Sequence, residues 1–158
     1  MYRLSLSPDE LLRYADEHLL YEIDMLNKTA KFYPGCDQVV INMRIESFGA
    51  HLRNLIDFFY NNTPRSDDVV ATDFFSDESA GMPLIPIISE TLNRAKIRVG
   101  KELGHLTTKR IHGYAPEKEW DFAGLTNEIN ALLKVFILHA RMDVLSNGFK
   151  NYIVSLRF

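Results

Sequence analysis

Apolar residues recur along this chain at steps of three, four or seven, the spacing that gathers side chains on one face of an α-helix. In residues 7–35 the apolar set is Leu12, Leu19, Ile23, Leu26, Ala30 and Tyr33, while Arg13, Glu17, Asp24, Lys28 and Lys31 fall on the opposite side. Ser7 stands where a capping residue is needed, Pro8 at the first helical position and Glu10 three residues after Ser7, as in a capping box. Pro34 and Gly35 close the segment. A second helix is predicted from about 37 to 61, with Ile41, Ile45, Phe48, Leu52, Leu55 and Phe59 in one stripe. Such a stripe needs partner helices to cover it.

Residues 62–85 hold Pro64, Gly81 and Pro83 and read as a connection, yet "SDDVVATDFF" within it carries a capping serine, early acids and apolar positions. A short helix is expected there, anchored by Val70 and Phe74. A third long helix is predicted from about 86 to 103, with Ile88, Leu92, Ala95, Val99 and Leu103 inward and Gly104 as terminator. A fourth follows "GYAPEKEW", with Pro116 in its first turn; Leu125, Ile129, Leu132, Phe136 and Ala140 form its stripe and Asn147-Gly148 its end. The two chain ends alternate instead: Tyr2, Leu4 and Leu6 at one, Tyr152, Val154, Leu156 and Phe158 at the other. Period two predicts strand, and a lone strand leaves its backbone groups unpaired, so the termini are expected to pair into a small β-ribbon. The fold expected is all-α: an up-and-down four-helix bundle with a short extra helix and that ribbon, in a single domain over residues 1–158.

A chain of 158 residues can bury a continuous core, and 46% apolar with 25% charged residues is ordinary for a globular protein. The formal net charge of −3 lacks the broad positive field of a non-specific nucleic-acid binder, so any such binding must use a local patch. Cys36 is the lone cysteine, which excludes an intramolecular disulfide and suits a reducing compartment. The opening "MYRLSLSPDE" has no apolar run, and "ALLKVFILHA" is short and broken by Lys134. A cytoplasmic protein is expected.

Candidate chemistry concentrates in "KIRVGKELGHLTTKR", residues 96–110. Arg94, Arg98, Lys101 and His105 follow steps of four, three and four, which lines them along one helix face. Thr107, Thr108, Lys109 and Arg110 come next, hydroxyl and cationic groups suited to holding phosphate. In the functional reading Arg98 stabilises the charge of a phosphorane-like transition state and His105 moves a proton, with Arg94, Lys101, Thr107 and Arg110 positioning phosphate. In the plain reading the face is solvated and His105 caps helix carbonyls. On the second helix Arg53 stands four residues before Asp57, a spacing that explains both as a surface pair. The rival reading has Arg53 or His51 reaching the same cleft as His105 as a further phosphate contact.

Helix order over most of residues 7–146, with Arg98-x6-His105 near the end of the third helix, resembles the HEPN superfamily, many of whose members carry an arginine, four to six residues and a histidine. The resemblance implies metal-independent RNA cleavage or RNA binding in a bacterial defence or toxin-type system, and a homodimer that brings two motifs into one cleft. Such families usually place a polar residue after the arginine; this chain has Val99. The layout "HLRNLIDFFYNN…DDVVATDFF…HLTTKR…W" also looks like one recurrent among uncharacterised bacterial helical proteins.

The alternative is a non-catalytic helical module whose basic strip contacts an acidic protein partner. His18 with Glu22 and His139 with Asp143, each pair one helical turn apart, could place two ligands on one metal ion, but the remaining histidines His51, His105 and His112 show no clustered spacing. No metal or cofactor is therefore expected. Glycine-rich phosphate loops, nucleophile elbows and paired-cysteine motifs are absent from the sequence. Trp120 reads as a core or interface anchor.

Overall fold

A computed structural model describes residues 5–31, 34–76, 85–111 and 119–156. The capping box forms as its residues dictate. The Ser7 hydroxyl accepts from the Glu10 amide at 3.3 Å, the Ser7 amide donates to the Glu10 carboxylate at 2.8 Å, and α1 (Pro8–Tyr14) begins. The helix runs through a π-helical turn, Ala15–Leu19, into α2 (Leu20–Thr29). Its buried positions run Leu11, Ala15, Leu19 and Ile23 at steps of four, then Leu26 three further on. Steps of four outrun a 3.6-residue turn, and the wider π-turn absorbs the excess. For that reason Leu11 replaces Leu12 as the first buried leucine.

The helix stops at Thr29, short of Pro34, and Arg44 takes over its last carbonyls, donating to Thr29 O at 2.6 Å and Ala30 O at 3.3 Å. Gly35 turns the chain at φ 81°, and the Asp37 carboxylate caps α3 (Gln38–Tyr60) by accepting from the Val40 amide at 2.9 Å. Helix α3 touches α2, α4 (Glu90–Arg98) and α5 (Phe122–His139), and buries Phe48, Leu52, Leu55, Ile56, Phe58 and Phe59 against them.

In the connection after α3 the expected short helix is a single 3-10 turn, Ala71–Phe74, because the Asp73 carboxylate caps the Val70 amide at 2.9 Å and Ser66 takes no part. Val70 and Phe74 are buried as anticipated. Ser89 caps α4 by accepting from the Leu92 amide, so the helix starts at Glu90 and not at Pro86; it runs on as a π-helical turn, Val99–Gly104. Asp121 caps α5 through the Gly124 amide; Pro116, the expected first-turn proline, lies outside the described residues.

The C-terminal end corrects two expectations. Helix α5 ends at His139, and Asn147-Gly148 open a further helix, α6 (Asn147–Ser155), because Ser146 accepts from the Phe149 amide at 3.0 Å. The alternating tail is therefore helix and not ribbon: Phe149 and Ile153, four apart, are buried, whereas Val154 is 67% exposed. The N-terminal partner, residues 1–4, lies outside the described residues, among which there is no strand. The fold is all-α.

Helix α6 is tied to α2 by Tyr152, whose hydroxyl donates to Asp24 at 3.0 Å. Burial, and then the Asp24 carboxylate, push the Tyr152 phenol up to about 12 from an ordinary value near 10.0. A raised folded-state value means that the contribution is complete below the unfolded phenol's value and is lost as pH rises through the folded one. Wild type is expected to lose denaturant stability between pH 10 and 12, and Tyr152→Phe to lose less; parallel pH curves for the two would show that this bond contributes nothing.

Candidate functional site

Bare backbone at Gly49 brings the second half of α4 close to α3. A Cβ there would collide with the end of the Leu103 side chain, so the glycine leaves room for that leucine as the Val99–Gly104 turn packs on the helix. Gly104 then lies beside the Arg53 guanidinium, and His105 follows in extended backbone, exposed. Arg53, Lys96, Lys101 and His105 thereby line one groove of about 740 Å³, together with Phe59, Tyr60 and the isoleucines 85, 87, 88 and 97. Ile87 is 94% exposed and Ile97 57%, so much of this aliphatic surface faces water.

Arg98 is elsewhere. Its Nε donates to the Glu102 carboxylate at 2.8 Å, one terminal nitrogen donates to the Glu119 carbonyl at 2.8 Å, and the guanidinium lies 4.2 Å above the Trp120 ring. With Thr91, Arg94 and Trp120 it lines a separate groove of about 410 Å³. Seven residues of regular α-helix would have brought Arg98 and His105 to nearly the same face. The intervening π-turn advances less per residue, and the two line different grooves. Trp120, the anchor expected from sequence, meets Phe48 edge-on at 6.5 Å. Since it is the single tryptophan, Arg98→Ala is expected to red-shift the intrinsic emission and to cost about 1–2 kcal/mol. An unchanged emission maximum would mean that the stacking is not what seats Trp120.

The other expected phosphate ligands divide. The Thr107 hydroxyl donates to Lys101 O at 2.7 Å, and Arg110 donates to His105 O and Leu103 O, both at 3.1 Å, so these two dress the carbonyls at the end of the turn. Arg94 is exposed, 3.9 Å from Glu90. Arg53 pairs with Asp57 at 3.6 Å, as its spacing predicts, while Lys96 reaches the other Asp57 oxygen at 2.6 Å. His51 does not line the groove: its Nδ1 is 2.7 Å from Glu22, to which Asn54 also donates at 3.1 Å, so that α2 and α3 are clasped together. The Lys109 side chain and His112 lie outside the described residues.

Of the two pairs spaced for metal, Glu22 is held by His51 and Asn54, and Asp143 by Arg141 at 2.8 Å. Among the described residues no group of three histidine, cysteine or acidic side chains could hold a metal ion. No helix among them is long and apolar enough to cross a membrane. Sequence reasoning missed Lys96 and Ile97. The signal for Ile97 was present, an isoleucine outside the stripe of its helix; Lys96 was hidden because its partner is on another helix.

The site thus belongs to an all-α protein that presents an aliphatic groove edged by cationic side chains. No family model, no curated protein and no solved structure matches the chain.

Proposed function

We propose that the protein is a helical interaction module whose groove binds a partner segment carrying carboxylates next to aliphatic side chains. One observation supports this reading above the others: the same groove joins Arg53, Lys96, Lys101 and His105 to the isoleucines 85, 87, 88 and 97. Aliphatic side chains on the partner would cover Ile87 and Ile97, and acids would meet Lys101 and His105 at the exposed edge. Four isoleucines suit aliphatic side chains better than nucleobases, which stack on aromatic faces, and the net charge of −3 works against a polyanion away from the groove. A labelled peptide of leucines and glutamates is expected to bind, to weaken as salt rises, and to weaken at least about tenfold in Ile97→Ser/Lys101→Glu. Equal affinity of the variant would remove the groove from the reading.

A second reading has its own observation. Arg53 on α3 and His105, in the extended backbone that follows the Val99–Gly104 turn, share the groove, so the arginine and histidine roles of metal-independent RNA cleavage can be filled from two separate segments. This is the HEPN-like activity with Arg53 in place of Arg98, and the resemblance would add RNA as ligand and a homodimer. RNA cut in EDTA by wild type and by Arg98→Ala, but not by Arg53→Ala or His105→Ala, would favour it over the interaction module.

A further inference from the structure

The apolar groove does not end at Arg53. Arg53 and Lys96 also line a second groove of about 670 Å³, walled by Tyr14, Glu22, Asn54 and Asp68 and polar where the first is aliphatic. The two cations that the grooves share are held by one carboxylate, which lines only the polar groove. Asp57 holds Lys96 Nζ at 2.6 Å through one oxygen and lies 3.6 Å from Arg53 Nε through the other. Its side chain is 37% exposed, Lys96 is 33% exposed and Arg53 47%, so water reaches all three and the pairs are weak enough for a ligand to exchange.

We infer that Asp57 is the charge-selectivity residue of this surface: at the junction of the grooves it occupies the place of a ligand's acid and limits how much negative charge a bound segment can bring there. The inference rests on the reading that the aliphatic groove binds acidic segments. Within the triad of Arg53, Lys96 and Asp57 one positive charge is left over, with Glu22 and Asp68 on its polar side and Lys101 on its aliphatic side. One acidic side chain balances it. A second adjacent acid meets the Asp57 charge at contact range, and like charges placed together cost affinity even at partly exposed sites. Without the Asp57 charge the junction would carry two positive charges and accept both acids. The isoleucines contribute equally in the two cases, because Asp57 does not line the aliphatic groove.

The test compares two labelled leucine-rich peptides, identical except for one glutamate or two adjacent glutamates, against wild type, Asp57→Asn and Asp57→Ala, with folding checked by circular dichroism. The quantity read is the gain in affinity from the second glutamate. It is expected to be roughly fivefold larger in both variants than in wild type, and the difference should vanish at high salt. The Ala variant separates charge from the hydrogen bonding of an amide. An equal gain in all three proteins overturns the inference while leaving the interaction module standing. Binding of neither peptide by any of the three overturns both. A variant that does not fold removes Asp57 from selectivity and makes it a structural tie, unless the other variant folds and shows the larger gain.

Discussion

Phe136→Ala is expected to lower the stability of the fold by about 3–5 kcal/mol, seen as a lower denaturation midpoint with an unchanged slope. Phe136 is 1% exposed and stands where α3, α5 and the Ala71–Phe74 turn converge. Its ring meets Phe74 at 5.4 Å, Phe58 at 5.5 Å, Phe75 at 5.9 Å and Phe59 at 6.1 Å, each nearly edge-on. Edge-to-face pairs add stabilisation beyond the area they bury, so truncation removes four such contacts and leaves a cavity bounded by rings that cannot close on it without leaving their rotamers. Phe136→Leu should cost less than half as much, since it keeps most of the volume. The effect also reaches the groove: Phe59 lines it from the same α3 turn that meets Phe136, so peptide affinity should fall along with stability. A loss below about 1 kcal/mol would mean that the aromatic cluster repacks freely and does not fix α5 on α3.

Much of that cluster was legible. Phe48, Leu52, Leu55 and Phe59 on α3, and Leu125, Ile129, Leu132, Phe136 and Ala140 along α5 and its C-cap, were picked out by spacing and are all buried. Regular helical geometry fails at the two π-turns. The π-turn at Ala15–Leu19 moved the buried register from Leu12 to Leu11, and the one at Val99–Gly104 sent Arg98 and His105 to separate grooves. A π-turn has no residue signature comparable to a proline or a capping serine, so a period of 3.6 carried through it gives the wrong face. The tail misled for a different reason: alternation over a few residues also fits a helix with two buried positions four apart, and Ser146 decides the matter only if it is recognised as a cap. Contacts between helices, such as Lys96 with Asp57, have no local spacing and could not be read at all.

The Asn27–Asn130 pair is of that hidden kind, and it carries the second large effect. Asn130 on α5 is fully buried; its amide nitrogen donates to the Asn27 oxygen at 2.9 Å and its oxygen accepts from the Asn27 nitrogen at 3.2 Å, while Asn27 also donates to Ile23 O at 2.9 Å. Each amide satisfies the other across α2 and α5. Asn130→Leu is therefore expected to cost about 2–3 kcal/mol in chemical denaturation, because it removes both bonds and leaves the Asn27 amide facing an apolar side chain. The double variant Asn27→Leu/Asn130→Leu should recover most of that loss, since two leucines leave no polar group unpaired. That contrast between single and double variants is the argument that the pair specifies register more than it adds stability: amides bond at one axial offset of the two helices, whereas leucines pack at several. Accordingly the double variant, though stable, is expected to show broadened amide resonances along α2 and α5. If the two single losses simply add in the double variant, the site contributes packing alone and the register must be set elsewhere.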